Sequence, residues 1–105
     1  MERPELSISV TQSPSEAVVK VAGEIDLANV AALSATVGDI LHDAPPRVVL
    51  DMSGVTFCDS QGLGTLVVLS RRASFAHSCL VLTNVGDFLI RVLDITGLRP
   101  ALMIH

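Results

Sequence analysis

The chain has 105 residues, half of them hydrophobic, with three Phe, no Trp, no Tyr and a formal net charge of −4. That length suits one domain, residues 1–105, whose core is built from Val, Leu, Ile and Ala. The acidic balance argues against a nucleic-acid partner, and no apolar run approaches the roughly 20 residues that cross a bilayer.

The first residues, Met1, Glu2, Arg3, Pro4 and Glu5, lack a basic stretch followed by an apolar one. A secretory leader is therefore not expected, and the cytoplasm is the expected compartment. Cys58 and Cys79 lack metal-ligand spacing. They read as reduced thiols in or near the core. Neither a metal nor a cofactor is implied.

Residues 6–10 alternate apolar and polar, as a half-buried strand does. Gln12, Ser13, Pro14 and Ser15 supply turn chemistry, and residues 17–22 form a second strand, antiparallel to the first. Gly23, Glu24, Ile25 and Asp26 follow as a loop. From Leu27 to Leu41 the apolar residues recur in steps of three and four, which predicts a helix over 27–41. Pro45 and Pro46 lie just beyond it and cannot continue a helix.

Residues 47–52 read as a third, buried strand and 60–75 as a second helix. Residues 80–83 form a fourth strand. A third helix follows the capping groups of 84–87 and ends at Gly97, a C′ glycine with Pro100 shortly beyond. Residues 101–104 make a short last strand. The order is β-β-α-β-α-β-α-β, an α/β fold with a mixed sheet of about five strands, mostly parallel after the first hairpin, and three or more helices.

Functional loops in such units gather at the carboxyl ends of parallel strands. One loop holds Glu24 and Asp26, the other Asp59 and Ser60. With the second and third strands as neighbours, both loops face one edge of the sheet. A serine hydrolase needs a base and an oxyanion hole. No His lies in either loop, and Asp59-Ser60-Gln61-Gly62 is not a Gly-x-Ser-x-Gly elbow. Gly62-Leu63-Gly64 lacks the Gly-Lys-Ser/Thr ending of a phosphate-binding loop. Paired carboxylates at 26 and 59 come with no obvious sugar cleft. The chain therefore reads as no enzyme.

Ser60 stands at a helix start, where unpaired N–H groups and the positive end of the dipole favour either a capping hydroxyl or an anion. Gly62 and Gly64 fall within the first turn, where each costs roughly 1 kcal/mol of helix propensity. Glycine makes sense there where another backbone or a partner approaches closely.

Asp59-Ser60-Gln61-Gly62-Leu63-Gly64, preceded by Val55-Thr56-Phe57, resembles the signature of STAS domains, and most of all that of bacterial anti-sigma factor antagonists. Gly23-Glu24-Ile25-Asp26-Leu27 resembles the segment ending the family's second strand, and Val92-Leu93-Asp94-Ile95-Thr96-Gly97-Leu98 its third-helix ending. The resemblance implies a partner-switching regulator. Such a protein binds an anti-sigma factor, a serine kinase of GHKL type, and so frees a sigma factor. The kinase would phosphorylate Ser60, and a PP2C-type phosphatase would reset it. The implied partner surface comprises Glu24, Asp26, Asp59, Ser60, Gln61, Gly62, Leu63 and Gly64. Gln61 departs from the Ser or Thr common there, which leaves Ser60 as the single acceptor. The alternative is a STAS scaffold, or an accessory subunit of a transporter or signalling complex, in which Ser60 only caps its helix.

Overall fold

The computed structural model describes residues 6–105, so the reading of residues 1–5 as lacking a leader lies outside the described residues. Among the described residues, five strands and three helices alternate in the expected order. They are β1 (Ser7–Gln12), β2 (Ala17–Ile25), α1 (Val30–His42), β3 (Val48–Cys58), α2 (Ser60–Phe75), β4 (Leu80–Thr83), α3 (Asp87–Thr96) and β5 (Met103–Ile104). A short 3-10 turn, Arg99–Ala101, precedes β5. The strands lie side by side in sequence order, β1 antiparallel to β2 and every later pair parallel.

Sequential order leaves one face of the sheet for all three helices. Leu33 and Val37 of α1, Leu66 and Leu69 of α2, and Leu89 and Leu93 of α3 share one core cluster with Val19, Val21, Leu50, Met52 and Leu82. Val49 and Val81 are buried but stand outside that cluster, on the opposite, helix-free face. The side-chain alternation of a strand separates the two sets. Gly97 ends α3 in the left-handed conformation at φ 74°, as a C′ glycine does.

β1 runs Ser7–Gln12 against the expected 6–10, and β5 is only Met103–Ile104 against the expected 101–104, because Ala101 belongs to the 3-10 turn. Three further boundaries differ from the sequence reading and shape the site. The first helix starts at Val30, not Leu27, because Asp26 and Asn29 fold residues 26–29 into a turn of their own. β2 reaches Ile25 and β3 reaches Cys58, well past the expected ends at 22 and 52. Their pairing continues to Ile25↔Cys58 through two register shifts, one between Lys20 and Ala22 and one between Gly23 and Glu24. Those shifts break the period-two pattern by which a strand is read. Gly54 makes the first possible by close approach, since a Cβ there would sit 2.7 Å from Ala22 Cβ. Along β3, β4 pairs only with Val48–Asp51. The upper part of the β2–β3 ribbon thus projects beyond β4, and both functional loops sit at its tip.

Candidate functional site

The two loops at the ribbon tip are tied together by Asp59. Its backbone N–H donates to Ile25 O at 3.0 Å. Its Oδ2 accepts the N–H of Leu27 at 3.0 Å, and its Oδ1 accepts the N–H of Gly62 at 2.8 Å. Asp59 is the N-cap of α2, with extended backbone at φ −81° and ψ −178°. A carboxylate at that place satisfies one orphan donor and complements the helix dipole.

Because Asp59 caps the helix, Ser60 does not. Ser60 is the first helical residue and is exposed. Its hydroxyl makes no hydrogen bond to any other described residue, whereas Asp59 beside it is bound through both carboxylate oxygens and through its backbone N–H and C=O. The alternative in which Ser60 only caps its helix does not fit this geometry: the carboxylate one residue earlier is the cap and leaves the hydroxyl facing water.

The other loop is stitched internally. Asp26 Oδ1 accepts the N–H of Ala28 at 2.9 Å, and Asn29 Oδ1 accepts the N–H of Asp26 at 2.9 Å. Asn29 Nδ2 in turn donates to Glu24 O at 2.7 Å. Asp26 is only 7 % exposed, so it shapes the loop more than it displays charge. Glu24 is half-buried at the rim.

The remaining candidates divide between scaffold and surface. Leu63 is 4 % exposed and belongs to the core, so its side chain is scaffold and not surface. Gly62 is buried, and a Cβ there would lie 2.6 Å from Cys58 Sγ and 2.9 Å from Ile25 Cγ2. Its glycine is demanded by the packing of α2 on the ribbon. Gly64 is exposed, a Cβ added there would meet nothing within 4 Å, and Gln61 is exposed nearby. Cys58 lies under the site. Burial first, and then the Asp59 carboxylate, push its thiol up to about 12, so it is no nucleophile near neutral pH.

Two residues missed in the sequence complete the site. Leu27 is 71 % exposed and Phe57 48 % exposed, and both line a shallow groove of about 450 Å³ with Glu24, Asp26, Ala28 and Asp59. By apolar spacing Leu27 reads as the first position of α1, and Phe57 falls beyond the expected end of β3. A strand placing Cys58 in the core turns Phe57 outward, and that alternation is the available signal. The tip thus presents apolar side chains, carboxylates and a free hydroxyl, with no His within either loop. Such a surface suits binding a protein and receiving a modification; neither loop holds the histidine that a serine triad uses as its base.

This fold is a small α/β domain, a mixed five-stranded sheet with three helices on one face and the candidate site at the tip of β2 and β3. A family model described as "Mlab, STAS domain" matches residues 8–104. The chain belongs to the STAS domain family. Among curated relatives, it is 36% identical over 67 residues to the anti-sigma-F factor antagonist RsfB of Mycobacterium tuberculosis. That match covers 64% of this chain but only 55% of the relative's length. It is 27% identical over 100 residues to the anti-sigma-B factor antagonist of Staphylococcus aureus, covering 95% of this chain and 93% of the relative. A crystal structure of an anti-sigma factor antagonist from Mycobacterium paratuberculosis superposes with a TM-score of 0.84 at 28% identity, over 96% of this chain and 86% of that one. SpoIIAA in its unphosphorylated form has the same fold, with a TM-score of 0.77 at 20% identity over 94% of this chain and 88% of that one.

Proposed function

We propose that this protein is an anti-sigma factor antagonist whose docking edge is switched by phosphorylation of Ser60. Its partner in this reading is an anti-sigma factor that is also a GHKL-type serine kinase, and binding it releases a sigma factor. The kinase transfers the γ-phosphoryl group of ATP to Ser60 Oγ, with ADP leaving and the hydroxyl proton lost. A PP2C-type phosphatase restores the hydroxyl. The protein acts as substrate and binding partner, not as an enzyme, and works in the cytoplasm.

The observation that carries this reading is the unengaged, exposed Ser60 hydroxyl at the first turn of α2, beside the Leu27–Phe57 groove. The names of the relatives support the antagonist class; Glu24, Asp26 and Asp59 line the adjoining groove, and Gln61 and Gly64 share the first turns of α2 with the hydroxyl. A phosphate adds about −1.5 to −2 charge. The helix N-terminus tolerates it locally, while a docked partner must desolvate it next to Asp59. Binding is lost and the fold is kept.

A second reading has one observation in its favour: the matching family model is described as "Mlab, STAS domain" and not as an antagonist. In that reading the same edge holds a constant partner, as a scaffold or accessory subunit, and Ser60 is never modified. Intact mass after incubation with candidate anti-sigma kinases and ATP separates the two. One added phosphate on the wild type and none on Ser60→Ala supports the switch. A kinase that binds tightly and leaves no phosphate supports the scaffold.

A further inference from the structure

Among the described residues, β1 is the long open edge of the sheet. It has β2 on one side and no strand on the other, and the opposite edge, β5, is only Met103–Ile104. Edge strands are usually blunted by charge, proline or a bulge. The sequence of β1, Ser-Ile-Ser-Val-Thr-Gln, contains no charge and no proline, and its six pairs with β2 run without a register shift. Five of its six residues are exposed, including Val10 at 41 %.

The alternation along β1 selects the strand that fits it. Ile8 and Val10 pair with Val21 and Val19 on the helix-bearing face, while Ser7, Ser9 and Thr11 pair with Ala22, Lys20 and Val18 on the helix-free face. A second copy related by a twofold axis normal to the sheet keeps these faces aligned, so only residues of the same face can stand opposite each other. With the axis through Ser9, Ile8 of each copy meets Val10 of the other, Ser7 meets Thr11, and Ser9 meets Ser9. Every pair is β-branched against β-branched or hydroxyl against hydroxyl, and Ser7 against Thr11 is a hydroxyl pair of the kind that hydrogen-bonds across strands. Moving the axis to Val10 sets Ile8 against Gln12 and spoils this match.

We propose that β1 is a self-association edge, through which two copies join antiparallel, centred on Ser9, into one continuous ten-stranded sheet. With so short an edge the contact is far below the 20 to 30 residues a side of a stable interface, so the dimer is weak and the dimeric fraction rises with concentration. The parallel strands of the two copies then run in opposite directions. The Ser60 edges point away from each other, and each remains open to a partner.

The test is site-directed cross-linking of the full chain in a Cys79→Ser background. Opposed residues of adjacent antiparallel strands have Cα atoms about 4.5–5.5 Å apart, within disulfide reach. Ser9→Cys should therefore form a covalent dimer under mild oxidation. Thr11→Cys should do so at least tenfold more slowly, because the two copies of residue 11 stand four strand positions apart, about 13 Å. Equal rates at the two positions, or no dimer at either, overturn the proposal. Sedimentation at the same concentrations supplies a second readout. Ser9→Glu places two carboxylates opposite each other across the axis, while Lys20 beside each keeps the variant acceptable within its own sheet. It should shift the protein to the 11.1 kDa monomer, and unchanged self-association by this variant overturns the proposal as well.

Discussion

Asp59 Oδ2 accepts the backbone N–H of Leu27 at 3.0 Å across a separation of 32 residues. The same carboxylate caps α2 through Gly62, so one side chain fixes the relative position of both loops of the site. Asp59→Ala is expected to lower stability by about 0.5–2 kcal/mol, the range for loss of an N-cap. Asp59→Asn should cost less, since Asn is also a good cap. Chemical denaturation measures the difference. Amide exchange of Leu27 should accelerate in the Ala variant; an unchanged rate would show that the loop holds its place without Asp59.

The two glycines of α2 should respond with opposite sign. Gly62→Ala places a Cβ 2.6 Å from Cys58 Sγ and 2.9 Å from Ile25 Cγ2. Overpacking of that kind costs about 1–3 kcal/mol. Gly64→Ala meets open space and gains helix propensity, up to about 1 kcal/mol. Thermal melts of the pair decide the point, and a destabilised Gly64→Ala would contradict the packing described. If a partner backbone approaches at Gly64, the same stabilised variant should bind the anti-sigma factor less well.

Asp51, at the end of the β3–β4 pairing, accepts Asn84 Nδ2 at 3.0 Å and the N–H of Ser53 at 3.0 Å. The Asn84 bond chiefly, with Ser53 next, holds its carboxyl below the ordinary 3.8. A carboxyl lowered by folding stabilises the native state above its unfolded pKa and stops doing so as pH falls through the native one. The contribution of Asp51 is therefore complete above about pH 4–5 and declines only in stronger acid. Asn84→Ala should raise the Asp51 pKa toward its ordinary value, read by NMR titration of the carboxyl. It should also reduce the stability difference between pH 5 and pH 3. An unmoved titration would assign the lowering to another cause.

Most of the fold was legible because the elements obey simple periods. The β-β-α-β-α-β-α-β order, α2 over Ser60–Phe75 and β4 over Leu80–Thr83 all follow from apolar spacing and from the Pro and Gly stops. The site was legible in part. Asp59, Ser60 and the two glycines stood out as a cluster, but a capping Asp and a capping Ser cannot be told apart one residue from each other. Register shifts hid the length of β3 and with it the outward side of Phe57. Leu27 carried a helical period by chance, and only the Asx turn of Asp26 removes it from α1.

Leu27 and Phe57 provide the sharpest separation of binding from folding. Leu27 is 71 % exposed outside any helix or strand, so Leu27→Ser should change stability by no more than about 0.5 kcal/mol, as for other surface substitutions. Phe57 is half-exposed on a strand, and Phe57→Thr keeps β propensity while removing the ring, at a cost of about 1 kcal/mol or less. Both side chains stand on the groove beside Ser60. A partner covering that edge must desolvate them, and apolar anchors of this kind carry much of the affinity at protein interfaces. Under the proposed function, each variant should weaken binding of the unphosphorylated protein to its anti-sigma kinase at least tenfold, about 1.4 kcal/mol, measured by titration calorimetry. Phosphorylation of the variants should fall in parallel at low protein concentration and recover when the protein is in excess. Wild-type affinity in both variants would move the docking surface away from this groove and onto the exposed face of α2 at Gln61, Gly64 and Val68.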